Sequence, residues 1–239
     1  MNQQLRLLAR AMKYRYKLDP AEVGFVRASL QPGMTAIDLG AHKGAYTYWL
    51  ARGVGPSGRV VAVEPQQSLA ERLKAVMGTK AQVDVRWAAI STGTGTGTLS
   101  LRPDGSSHGA SIAGFPDGQV GRTVEVPTIS LDDLAEAYSL ERVDFIKCDI
   151  EGHEGAVFAA GMGFIRRFGP TIMTECEERH AQGEHGGVTG LAHLFEPEGY
   201  RIRFFKDGRL HPLSDFDAQV HQNYGVGEYC NNFVLDRPS

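Results

Sequence analysis

The 239-residue chain predicts an α/β fold: a doubly wound, mostly parallel sheet of roughly seven strands, with an antiparallel final strand and a β-hairpin insertion. Three observations predict it. Short apolar runs alternate with helical patterns along most of the chain. The run Arg59–Glu64 (RVVAVE) is almost unbroken in apolar residues, as a parallel strand buried on both faces should be. Glycines at 40 and 44 follow the first run, where the chain must turn sharply from strand into helix.

The opening stretch MNQQLRLLARAMKYRYK reads as a helix with solvated Lys13, Arg15 and Lys17 and packing Tyr14 and Tyr16. With residues 21–30, apolar at Val23, Phe25, Val26 and Leu30, it makes a helical segment over 1–32 ahead of a main domain over 33–239. Thr35–Leu39 is the first strand, 45–52 a buried helix, 53–58 a turn and Arg59–Glu64 the second strand. Gln67–Met77 is an amphipathic helix stopped by Gly78, and Val83–Trp87 the third strand. Trp49 and Trp87 are read as core residues.

The pattern breaks at Ser91, where Gly, Ser and Thr become too frequent for helix. Residues 98–101 and 123–126 alternate like two exposed strands around a loop at 103–119. Ser130 and Asp133 have capping-box spacing and open a helix to about Tyr138. Then follow a strand at 143–150, a helix at Glu154–Ala160, a strand at 171–176, a loop at 179–190 and a helix at 191–198. Strands at 200–205 and Asn232–Asp236 close the sheet, the last antiparallel at its end.

A formal charge of −3 supplies no basic field for a polyphosphate backbone, so nucleic acid is disfavoured as a partner. Cys148, Cys176 and Cys230 are widely spaced, without metal-site or disulfide-framework spacing. The N-terminus lacks the apolar core of a signal peptide, and no run is long enough for a bilayer. These features together suggest a cytoplasmic protein.

Ligands of open α/β sheets sit beyond the carboxyl ends of the strands. Asp38, Gly40 and Gly44 mark that end of the first strand, and Glu64 ends the second, placed to accept from both ribose hydroxyls of a Rossmann-like cofactor. NAD and S-adenosylmethionine both suit a glycine turn with such a carboxylate. A dinucleotide, however, needs GxGxxG spacing and would be repelled by Asp38, whereas the ammonium and sulfonium of S-adenosylmethionine would be attracted. The residues favour the methyl donor. Ala88 or Ala89, just after Trp87, should border its adenine.

The strings DLGAHKGAYT (38–47), VEP (63–65), AIS (89–91), ISLDDL (129–134), VDFIKCDIEGHE (143–154) and PTIMTE (170–175) resemble the successive motifs of the FkbM family of class I methyltransferases. His42 stands where that family more often has asparagine, and Cys148 interrupts an otherwise typical Lys147-to-Asp149 run. The resemblance implies S-adenosyl-L-methionine as donor, O-methylation as reaction, and sugars, glycolipids or polyketide-like natural products as acceptors. It also extends the cofactor site to His42, Tyr46, Pro65 and Asp149, and the acceptor side to His153.

Methyl transfer from a sulfonium needs collinear donor and acceptor, and a hydroxyl acceptor also calls for a general base. Asp149, Glu151 and Glu154 offer carboxylates at the end of the fourth core strand. Asp149 is read as touching the methionine moiety or acceptor, and Glu151 as binding or deprotonating the hydroxyl. Glu154 is read either as an acceptor contact or as an acid favouring a helix start. Glu175 ends the adjacent strand on the substrate side, so Asp149, Glu151 and Glu175 could together offer oxygens to Mg²⁺, although no spacing marks a metal site. His108, in the loop SSHGAS, is a second candidate base or a solvated side chain, while His180 and His185 belong to a candidate lid and are not read as metal ligands. N-methylation of an amine and a non-catalytic donor-binding module are the alternatives.

Overall fold

The computed structural model describes residues 2–78, 80–102, 104, 106–107, 109–114, 121–180 and 185–238. Its sheet contains β1 (Thr35–Leu39), β2 (Arg59–Glu64), β3 (Val83–Trp87), β7 (Phe145–Cys148), β8 (Thr171–Glu175), β9 (Arg201–Lys206), β10 (Arg209–Pro212) and β11 (Asn232–Asp236). They run in the order β10-β9-β11-β8-β7-β1-β2-β3. All pairings from β3 to β8 are parallel; β11 is antiparallel to both neighbours. The sheet is therefore doubly wound and mostly parallel, as expected. Two details differ: β11 enters between β8 and β9 rather than at the edge, and β10 adds an eighth strand as a hairpin arm. Chain order alone does not show this, because β11 reaches its interior slot from a distant position in the sequence.

Alternation along the strands splits the core into two layers. Ile37, Leu39, Ile146 and Cys148 face one layer, covered by α5 (Leu131–Ala137), α6 (Glu154–Ala160), α7 (Met162–Phe168) and α8 (Gly187–Phe195). Ala36, Val60, Ala62 and Phe145 face the other, covered by α1 (Gln3–Lys13), α2 (Pro20–Ser29), α3 (Ala45–Val54) and α4 (Gln67–Met77). The N-terminal helices thus share a core with the first βαβ unit. Trp49 joins them, 6% exposed, with its Nε1 donating to the Ala11 carbonyl at 3.0 Å. Between α1 and α2 lies a π-helical turn at Tyr14–Leu18, which the periodicity did not reveal. Tyr14 packs edge-on against Tyr46, but Tyr16 is exposed rather than packed. Trp87 is also a correction: it is 39% exposed, with its indole N–H donated to the Pro65 carbonyl.

The insertion is larger than a hairpin. β5 (Gly95–Leu101) and β6 (Arg122–Ile129) pair antiparallel, and β4 (Ala89–Ile90) joins β6 in parallel, giving a separate three-stranded sheet. The expected cap of α5 is present: Ser130 Oγ accepts from the Asp133 N–H at 3.1 Å and donates to the Asp133 carboxylate at 2.8 Å. Among the described residues no helix is long and apolar enough to cross a membrane, and Cys148, Cys176 and Cys230 are buried and free.

Candidate active site

A cleft of about 410 Å³ opens beyond the carboxyl ends of β1, β2, β7 and β8. It lies where β1 has β2 on one side and β7 on the other, with their connections leaving in opposite directions. Its walls come from both core layers, from the insertion and from the π-turn.

Gly40 adopts φ +79°, and a Cβ there would overlap the Asp149 carbonyl oxygen. Only glycine allows the β1 turn to approach the β7 end this closely. Asp38 is 2% exposed and accepts from Thr47 Oγ1 at 2.5 Å. Burial pushes its carboxyl up to about 6, against the opposing Thr47 hydrogen bond and Lys147 charge. Glu64, also 2% exposed, accepts from the backbone N–H groups of His42 at 2.6 Å and Gln66 at 2.9 Å. These leave further lone pairs for hydroxyl donors. Burial raises Glu64 to about 7 despite those hydrogen bonds.

The other cofactor-side candidates divide. His42, Tyr46, Pro65 and Ala89 line the cleft. The His42 ring Nε2 stands 2.9 Å from Ser107 Oγ, joining the insertion to the β1 turn. Ala88 is fully buried and does not line the cleft, and Gly44 acts behind it, as the left-handed N-cap of α3.

On the opposite side, Asp149, Glu151, His153 and Glu175 line the cleft. Glu151 has φ +56°, a costly backbone for a non-glycine residue. Ser111 Oγ donates to its carbonyl at 2.7 Å, and the Gly109 N–H to its Oε1 at 3.0 Å, so the insertion fixes this acid. Burial, with the charges of Asp149 and Glu154, pushes Glu151 up to about 7. Glu175 accepts from Asn231 Nδ2 at 2.6 Å, and burial together with Asp149 raises it well above the carboxylate range. His153 meets Ser91 Oγ at 3.2 Å and is held low by burial, hence neutral near pH 7. Glu154 lies outside the lining, turned back to accept from the N–H groups of Ile150 at 3.0 Å and Gly152 at 3.3 Å. His108 lies outside the described residues, although Ser107 and Gly109 line the cleft.

Several lining residues were given no site role by the sequence reading. Lys147, 2% exposed, is the register partner of Asp38 across β1 and β7. Its Nζ donates to the Cys148 carbonyl at 3.1 Å and lies 5.2 Å from the Tyr46 ring centre. Burial disfavours its charge, but Asp149, Glu175 and Asp38 outweigh burial and raise it, so the ammonium persists. A lysine inside an apolar strand run was the available signal. Tyr14 and Asp19 reach the cleft from the π-turn, and Tyr46 donates its hydroxyl to Asp19 at 2.8 Å. No sequence spacing predicted that, because the contact joins segments with no shared motif.

Among the described residues no three His, Cys, Asp or Glu side chains are grouped to hold a metal ion, so the Mg²⁺ option gains no support. Residues 38–205 match the family model of the methyltransferase FkbM domain. The chain belongs to the FkbM methyltransferase family. Methyltransferase FkbM from Methylobacillus flagellatus is similar in fold, with TM-score 0.51 and 14% identity over 98% of this chain and 55% of that one. An O-methyltransferase from Bacillus cereus, solved with S-adenosylhomocysteine, gives TM-score 0.50 at 15% identity over 98% and 89% of the two chains. A protein assigned as an rRNA methylase from Clostridium thermocellum gives 0.52 at 10% identity over 92% and 95%. This FkbM chain thus spans about half the length of the Methylobacillus structure. No curated protein matches it.

Proposed function

We propose that the chain transfers a methyl group from S-adenosylmethionine to a hydroxyl of a sugar, glycolipid or natural-product acceptor. The reading is carried by one juxtaposition: buried Asp38 and Glu64 at the ends of β1 and β2 share a cleft with Glu151, a fixed carboxyl poised near neutrality. The donor set fits the cofactor. Glu64 keeps lone pairs for ribose hydroxyls, and the Asp149 carboxylate has no protein hydrogen-bond donor among the described residues, leaving it open to an ammonium. Bound there, S-adenosylmethionine supplies an electrophilic methyl on a good leaving group. Asp38 and Asp149 set the methionine end, and Pro65 and Ala89 border the adenine. Glu151 takes the acceptor proton, at a pKa suited to that task. Arg10, Tyr14, Leu18 and Asp19 of the N-terminal segment line the cleft of the main domain, and the unpaired cysteines suit the cytoplasm.

Calorimetry with S-adenosylhomocysteine, followed by methyl-transfer assays on paired hydroxyl and amine probes such as glucose and glucosamine, tests this. Donor-product binding with transfer to hydroxyl probes is the expected result. Transfer only to the amine nitrogen would replace O-methylation, and absence of binding would remove the donor assignment.

A further inference from the structure

Three cations converge where the β1–α3 turn meets α1 and α4. A Cβ on Gly44 would overlap Leu73 of α4 and lie 3.3 Å from Leu7 of α1, so the three elements meet at that glycine. Lys43 precedes Gly44, Arg72 precedes Leu73, and Arg10 stands about one turn along α1 from Leu7. The Trp49–Ala11 hydrogen bond fixes α1 one residue from Arg10. Arg10 and Lys43 are half-buried and line the cleft, while Arg72 is exposed beside them.

Among the described residues no carboxylate forms an ion pair with any of the three. Their like charges repel, and partial burial with the charges of Arg10 and Arg72 holds Lys43 below its usual range. This unneutralised cluster sits on a chain of net charge −3, at the rim of a cleft whose floor holds Asp38, Glu64, Asp149, Glu151 and Glu175. An anion entering the cleft is repelled by the floor and attracted at the rim.

We propose that Arg10, Lys43 and Arg72 form an anion site that holds a phosphate or carboxylate of the acceptor while its hydroxyl reaches toward Glu151. This rests on the methyl-transfer reading and adds a substrate class to it: an acceptor bearing both a hydroxyl and an anionic group. It also supplies orientation, since the opposite pose would set the anion against the acidic floor. The same chemistry could be met by the donor's own carboxylate, so the test separates the two sources.

Inorganic phosphate and pyrophosphate are titrated calorimetrically into the S-adenosylhomocysteine-loaded protein and into an R10A/K43A/R72A variant, with R10K/K43R/R72K as a charge-retaining control. Binding to the wild type and the control, weakened about tenfold or more in the alanine variant, is expected. S-adenosylhomocysteine affinity should change less than about twofold. No phosphate or pyrophosphate binding to the loaded wild type, or equal binding in all three proteins, overturns the site. If the alanine variant loses S-adenosylhomocysteine affinity but keeps that for 5′-methylthioadenosine, which lacks the amino-acid end, the anion is the donor's carboxylate and the acceptor assignment falls. Failure of the wild type to bind S-adenosylhomocysteine would instead remove the underlying methyl-transfer reading.

Discussion

Gly40 and the Asp149 carbonyl oxygen touch across the join between β1 and the β7 turn, leaving no room for a side chain. The contact sets the separation between the two halves of the cleft. Gly40→Ala must both adopt φ +79° and displace backbone, so it should lose about 2 to 4 kcal/mol of stability. S-adenosylhomocysteine affinity should fall with it. Denaturant unfolding and calorimetry together check this; unchanged values for both would mean that the join tolerates a methyl group.

Buried Glu64 predicts a trade between stability and binding. Its folded pKa, about 7, lies above the unfolded value, so the fold holds a proton that the unfolded chain releases. Its contribution to stability is complete below the unfolded pKa and is lost as pH rises through about 7. Glu64→Gln does not titrate, so its melting temperature relative to wild type should be higher near pH 8 than near pH 4, on top of a pH-independent loss from setting its amide nitrogen against one of the two N–H donors. The same variant should bind S-adenosylhomocysteine more weakly, having lost an ionised acceptor for hydroxyls. Thermal scans across that range decide the first point, and a gain confined to low pH would reverse the sign.

That Asp38, Gly40 and Glu64 share one cleft was legible because its determinants are local: they end or follow consecutive strands, and strand ends can be read from apolar runs. The mostly parallel sheet followed from the alternation of strands and helices. The interior position of β11, the addition of β4 to the β5–β6 pair, and the approach of Tyr14 and Asp19 to Tyr46 were not legible. Each depends on contacts between segments far apart in sequence, without periodicity or spacing to announce them. Glu154 shows the complementary limit. Its position in a motif gives no sign that its side chain folds back onto its own turn.

Glu151→Gln should keep the Gly109 hydrogen bond and the fold but remove the base. Turnover of a hydroxyl acceptor should fall about a hundredfold or more, with S-adenosylhomocysteine affinity unchanged. In the wild type the rate should rise with pH through about 7, as the carboxyl ionises. That limb should vanish in the variant. Full turnover by the variant at saturating donor and acceptor would move the base elsewhere, and His108 would be the next side chain to substitute.

Glu154 separates a structural acid from an acceptor contact. Its Oε1 accepts from Ile150 and Gly152, which closes the turn that carries Asp149 and Glu151. Glu154→Ala strands both N–H groups and should cost about 1 to 3 kcal/mol, with a loss of turnover that follows the loosened turn. Glu154→Gln keeps an acceptor oxygen, and burial already raises the native carboxyl to about 7, so the neutral amide is a close substitute there. It should remain near wild type in both stability and turnover. An acceptor-binding acid would give the reverse pattern: intact stability with lost turnover in the glutamine variant, visible as a raised KM for the hydroxyl probe.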